Sequence, residues 1–272
     1  MDKIVRTLIC DGQVSLAVID TKKLVQRAVE IHKTTAEASR ILGGLLTCGA
    51  YLASSLKSER GSISLTVKAK DGDGAASVSA DAELHVRGYA DGSCFQTLKG
   101  GSLTVVREDG FSRPFVGACE IESDDVSDIL ETYFGQSEQI PTAVALFVGF
   151  DGNGCCLYAG GVVMQLLPDA SEEQIALAGE KFNDFKSRGM NKDLNAENIM
   201  AEFFAPLIAG EVTTLFPEYR CNCSEEKIRG VLASLGKAEL LKICEEAGEV
   251  KVHCRYCNKD YVYDKKRIEE IF

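Results

Sequence analysis

Residues 221–257 read CNCSEEKIRGVLASLGKAELLKICEEAGEVKVHCRYC, opening on Cys221-Asn222-Cys223 and closing on Cys254-Arg255-Tyr256-Cys257. Ser224 has the chemistry of a helix N-cap, with Glu225 and Glu226 in the first turn, an apolar face of Ile228, Val231, Leu232 and Leu235, and a glycine stop at Gly236. A second short helix is expected from Lys237 to Ala247, ended by Gly248. Alternation at Val250, Val252 and Cys254, a turn at Asn258-Lys259-Asp260 and a return through Tyr261 to Tyr263 predict a hairpin. Folding of this stretch brings four thiols together, a donor set that suits tetrahedral Zn2+. About fifty residues with so few large apolar side chains need such a staple, because their core alone is too small.

Other uses of these cysteines fit less well. A thioredoxin-like Cys-x-x-Cys opens a helix, whose N-terminus lowers the thiol pKa, whereas Cys254 and Cys257 follow a strand pattern. A catalytic zinc keeps an open position and usually takes His or carboxylate ligands, while four cysteines close the shell. His253 adjoins Cys254, but alternation turns its side chain away, and it is expected at the surface. Cys244, on the second helix, and Cys10, Cys48, Cys94, Cys119, Cys155 and Cys156 have no metal-like spacing and are expected to be ordinary thiols.

The 272 residues allow one large core plus a smaller module. The first twenty, MDKIVRTLICDGQVSLAVID, have no uninterrupted apolar run of the kind an export signal needs, so a cytoplasmic protein with reduced thiols or metal-bound cysteines is expected. From Cys221 onward there are 10 Lys+Arg and 10 Asp+Glu, leaving 20 against 31 before it, so the net charge of -11 lies in the first part. Phosphate backbones bind basic surfaces, which argues against a nucleic-acid partner; no apolar run approaches membrane-spanning length, which argues against a membrane partner. A P-loop and a GxSxG motif are both absent, and three histidines, His32, His85 and His253, leave few carriers for acid-base chemistry.

Upstream the pattern is mixed. Ile63, Leu65 and Val67 alternate in a strand over 62–68; Asp71-Gly72-Asp73-Gly74 and Asp151-Gly152-Asn153-Gly154 mark turns; 22–57 has helical spacing with a break expected at Gly43-Gly44. An α+β fold follows, with an antiparallel sheet and helices over 1–170, an amphipathic helical linker over 171–220 and a zinc-binding module over 221–272. In the linker, Ser171 with Gln174 forms a capping-box signature, Ile175, Ala178, Phe182 and Phe185 share a helix face, and a second helix is expected over 197–207, ending near Gly210. Phe182, Phe185, Phe203, Phe204 and Phe216 concentrate apolar surface here, for which docking on the N-terminal core is the simplest resting arrangement.

The arrangement Cys-x-Cys, thirty residues, Cys-x-x-Cys resembles the 33-kilodalton heat-shock protein family, bacterial redox-regulated holdase chaperones. Asp2-Lys3-Ile4-Val5-Arg6, Val86-Arg87-Gly88-Tyr89, Tyr133-Phe134, Ser137-Glu138-Gln139-Ile140-Pro141-Thr142 and Ala159-Gly160-Gly161 leading to Gln165-Leu166-Leu167-Pro168 extend the resemblance over the whole chain. It implies a non-enzymatic, ATP-independent chaperone that binds unfolding client proteins, forms homodimers through domain exchange, holds one Zn2+ per chain when reduced, and when oxidised pairs Cys221 with Cys223 and Cys254 with Cys257. The extra N-terminal cysteines are a departure and leave open whether other thiols oxidise. An enzyme in the N-terminal domain with an appended structural zinc ribbon is the competing reading.

Overall fold

The computed structural model describes residues 1–70, 74–91 and 97–272. Cys94 and the first three residues of the Asp71-Gly72-Asp73-Gly74 turn therefore lie outside the described residues. The chain forms two compact units, Met1–Tyr219 and Arg220–Phe272, and its class is α+β.

In the first unit β1 (Lys3–Ile9) and β2 (Val14–Asp20) form a hairpin, followed by helices α1 (Lys22–His32) and α2 (Ala36–Ala53). Strands β3 (Ser62–Lys68), β4 (Ala75–Asp81), β5 (His85–Asp91), β6 (Ser102–Glu108) and β7 (Phe115–Glu120) follow, then α3 (Val126–Tyr133), β8 (Thr142–Phe150) and β9 (Cys156–Leu166). After them come α4 (Glu172–Arg188), α5 (Ala196–Ile199), β10 (Thr213–Leu215) and β11 (Glu218–Tyr219). One sheet has the order β10-β1-β2-β9-β8 and the other β11-β5-β4-β3-β6-β7; every pairing is antiparallel except the short β11–β5 pair.

The expected helix break lies elsewhere. α1 ends at Lys33, which takes the left-handed conformation at φ 50°, and α2 starts after Thr35, whose hydroxyl accepts the Ala38 N–H. Gly43 and Gly44 sit inside α2 because their neighbours come too close for a side chain: a Cβ on Gly43 would lie 2.9 Å from Val148 Cγ1, and one on Gly44 3.0 Å from Val126 Cγ2. These contacts make α2 a helix buried nearly all round, packed against strands of both sheets.

Alternation along β1 and β2 gives their sheet two apolar faces. Ile4, Ala17 and Ile19 join the core around α2, while Val5, Leu16 and Val18 face the segment after Pro168. On that second face α4 contributes Ala178, Phe182 and Phe185, and residues 196–207 contribute Ala196, Ile199, Met200, Phe203 and Phe204. The latter stretch is not a plain α-helix: α5 passes into a π turn at Met200–Phe204 and a 3-10 turn at Ala205–Leu207, where Pro206 cannot donate. Ser171 caps α4 by accepting the Gln174 N–H, but the Gln174 side chain reaches Asp11 instead of returning to close the capping box. Ile175 and Phe216 are exposed, so the apolar face of this segment is narrower than its sequence implies.

The second unit contains α6 (Glu225–Leu235), α7 (Lys237–Ala247), the hairpin β12 (Val250–His253) with β13 (Asp260–Tyr263), and a short α8 (Lys265–Glu269) that spacing alone does not announce. Its core has seven buried residues, Leu232, Leu240, Cys244, Val250, Tyr261, Tyr263 and Ile268. On α6, Leu232 is buried whereas Val231 and Leu235 are exposed, because a core this small receives only part of the predicted face.

Candidate metal centre

Cys221 and Cys223 precede α6, whose start is fixed by Ser224 accepting the Lys227 N–H. Cys254 leaves the end of β12, where its N–H donates to Lys259 O; the N–H groups of Cys257 and Asn258 both return to Cys254 O, and Asn258 takes φ 55°. That tight turn presents the second pair of sulfurs to the first. Cys221 Sγ lies 3.7 Å from Cys254 Sγ, Cys223 Sγ lies 3.4 Å from Cys257 Sγ, and all four sulfurs fall within 4.8 Å of one another.

This geometry fits a metal. A tetrahedral ion with metal–sulfur bonds of about 2.3 Å separates its ligands by about 3.8 Å. The four side chains are partly shielded from solvent, and all are free thiols. They can hold one metal ion.

The four protonation states are unequal. Burial would raise the Cys223 thiol, but the Tyr261 hydroxyl and the neighbouring sulfurs donate to it and bring it down to about 7. Burial pushes Cys221 well up, and pushes Cys257 up to about 11 although the Lys259 N–H works against that. Crowded sulfurs thus share few negative charges among themselves, and a cation that stabilises four thiolates must displace protons.

Among the described residues no other cysteine belongs to this cluster. Cys10, Cys48, Cys119, Cys156 and Cys244 are buried, and Cys155 is exposed. Burial raises the pKa of Cys10, Cys48 and Cys119, and takes Cys156 to about 12, so these thiols are weak nucleophiles. His253 is half exposed and pairs with Asp260 at 2.6 Å. His32 meets the Tyr219 hydroxyl at 3.1 Å, and His85 lies among Asp81, Glu83 and Glu218. The residue that sequence spacing overlooks is Tyr261, whose hydroxyl donates to Cys223 Sγ at 3.1 Å. Its signal was the alternation that puts Tyr261 and Tyr263 on one face of the hairpin.

An α+β body followed by a small unit clipped through four cysteines defines a narrow class of protein. The profile of the family described as Hsp33 protein matches residues 2–264, and the chain belongs to that family. It is 31% identical to a 33 kDa chaperonin of Clostridium botulinum, covering 99% of this chain and 97% of that one. It is 32% identical to the 33 kDa chaperonin of Bacillus cytotoxicus, covering 99% and 98%. A solved structure, the 33 kDa chaperonin (heat shock protein 33 homolog) of Thermotoga maritima, superposes with a TM-score of 0.87 over 99% of this chain and 97% of the other, at 24% identity, and so shares the fold. Among the described residues no helix is long and apolar enough to cross a membrane.

Proposed function

We propose that the chain is a redox-switched, ATP-independent holdase of the cytoplasm. It binds unfolding proteins after its cysteine centre is oxidised, acts as a homodimer when active, and has neither nucleic acid nor membrane as partner. The observation that carries this reading is a four-sulfur clip across a unit whose own core is seven buried residues. Bound Zn2+ supplies folding free energy, about 10–16 kcal/mol in zinc-finger peptides. Once Cys221 pairs with Cys223, and Cys254 with Cys257, the sulfurs lose the thiolate charge on which that binding depends. Residues 220–272 then have too small a core to stay folded.

Clients are taken up by the segment 171–220, which is held back in the resting state. Its rings dock edge-on in a chain that starts from Phe147 of β8, Phe147 to Phe185 at 5.8 Å and Phe185 to Phe203 at 5.4 Å, with the Arg188 guanidinium 5.0 Å above Phe203. Burying each such ring is worth roughly 1.5–3 kcal/mol, so undocking needs heat as well as oxidation and is repaid when the rings cover a client's apolar surface. The strongly acidic body keeps such a complex dispersed. The chaperonin names of the relatives support a client-binding role over turnover of a substrate.

The test is a titration of the reduced, zinc-loaded chain with peroxide at mildly raised temperature, following metal release and light scattering of a heat-unfolded client together. One zinc released per chain, with aggregation suppressed in step and without ATP, is the expected result. Equal suppression by the reduced form would sink the switch. An activity on a small substrate that survives removal of residues 221–272 would favour an enzyme with a zinc ribbon.

A further inference from the structure

Residues 207–215 run along the outer edge of β1. The N–H of Cys10 donates to Leu207 O at 2.9 Å, and the N–H groups of Ala209 and Gly210 both donate to Leu8 O, at 2.9 and 3.2 Å. Beyond a break in register, β10 pairs Leu215 with Ile4, Thr214 with Val5 and Thr213 with Arg6. Hydrogen-bonding groups alternate in direction along a strand. Leu8 and Cys10 turn theirs to this segment, so Ile4 and Arg6 do the same, while Val5, Thr7 and Ile9 turn theirs to β2.

The segment occupies that edge mainly through its backbone. Thr213 and Thr214 are exposed, and only Leu215 packs against the core around α2. The regular pairing is three residues long on a strand of seven. Beside the edge lies the apolar face of Val5, Ile9, Leu16 and Val18, covered by Phe182, Phe185, Phe203 and Phe204 of the same segment. Departure of residues 171–220 therefore opens the edge and the face together.

We propose that β10 is a placeholder, and that the vacated edge of β1 takes up an extended, β-prone strand of an unfolding client, antiparallel as β10 is. The resident strand shows what the site accepts: main-chain donors and acceptors, which every sequence carries, with side chains left largely to solvent. Recognition of that kind serves partners unrelated in sequence. A client strand that pairs along all of β1 has more bonds to offer than β10, and its alternate side chains continue the bared face. The inference rests on the reading of residues 171–220 as a segment that leaves its dock on activation.

The experiment follows hydrogen exchange at single amides in the full chain, reduced, then oxidised and warmed, then oxidised with a heat-unfolded client whose light scattering is recorded. The amides of Ile4 and Arg6 are expected to be protected, then open, then protected again, while those of Val5 and Thr7 stay protected throughout. A second arm titrates the oxidised chain with a labelled peptide of residues 208–216. In register with β10, its Thr213 and Leu215 amides face β1 and its Val212 and Thr214 amides face away. N-methylation at Thr213 and Leu215 removes two donors to β1 and should weaken binding on the order of tenfold or more, whereas the same change at Val212 and Thr214 should leave it within about twofold. Equal binding of the two methylated peptides, or no binding of the parent peptide, overturns the proposal. So do Ile4 and Arg6 amides that stay protected after oxidation, or that stay open once client is bound, while aggregation is suppressed. An oxidised chain that neither suppresses aggregation nor loses protection over residues 172–188 refutes the underlying reading, and the inference with it.

Discussion

Ala178 lies on the inner face of α4 at 1% exposure, in one cluster with Phe182, Phe185 and Met164. Ala178→Asp leaves every phenylalanine in place and puts an unpaired carboxylate at the centre of the docked face. An uncompensated buried charge costs about 3–5 kcal/mol. Docking of α4 is held chiefly by Phe182 and Phe185, together worth roughly 3–6 kcal/mol. The two figures are of the same size, so the variant should populate an undocked α4 while its cysteine centre stays reduced and loaded. The assay pairs hydrogen exchange over residues 172–188 with light scattering of a heat-unfolding client, under reductant and with zinc retention checked on the same sample. Loss of protection in α4 together with suppression of aggregation is expected. If α4 loses protection and the client aggregates as it does beside the reduced parent, the docked rings are not a held-back client surface, and that part of the reasoning fails.

Cys254→Ser removes a donor from the clip, so residues 220–272 should lose protection from exchange even under reductant; a cooperative, metal-independent melt of that unit would contradict the stapling argument. Asp2 is buried and accepts the N–H groups of Lys23 and Leu24 at the start of α1, yet burial outweighs those bonds and lifts its pKa from 3.8 to about 6. The folded state therefore holds a proton that the unfolded state gives up, and this stabilisation, complete below pH 3.8, is lost as pH rises through 6. Relative to Asp2→Asn, the parent should lose about 3 kcal/mol in all, about 1 of it between pH 5 and 7, and parallel urea-derived stability curves would refute the assignment. Gly43→Ala should cost about 1–3 kcal/mol through the clash with Val148, read as a lowered midpoint of denaturation, and an unchanged midpoint would show that α2 has room there.

Local chemistry was the legible part of this chain. Ser171 and Ser224 cap helices where hydroxyls precede acidic first turns, Gly236 and Gly248 end helices at positive φ, and the alternation of Ile63, Leu65 and Val67 marks a strand buried on one face. The four ligand candidates were legible for a different reason: two short cysteine pairs have no other common purpose in a small unit without a large core. What stayed hidden depends on residues far away in sequence. Gly43-Gly44 reads as a breaker until Val148 and Val126, brought in by β8 and α3, explain why no side chain fits. The exposure of Val231 and Leu235 reflects how little partner surface the second unit offers, a quantity that helical periodicity does not contain. Tyr261 reads as a strand residue in the sequence, and its bond to a sulfur 38 positions upstream follows only from the register of the hairpin.

The pairing of β1 with β10 joins Ile4 to Leu215 and Arg6 to Thr213, so β1 leaves the ribosome about 210 residues ahead of the strand it pairs with. At about 5–20 residues per second that delay is about 10–40 s. Throughout it the outer edge of β1 has open backbone donors and acceptors, and the face of Val5 lacks the helices that later cover it. The chain therefore spends that interval with an unpaired strand edge and an uncovered apolar face, and its own biosynthesis should be sensitive to the supply of help at the ribosome.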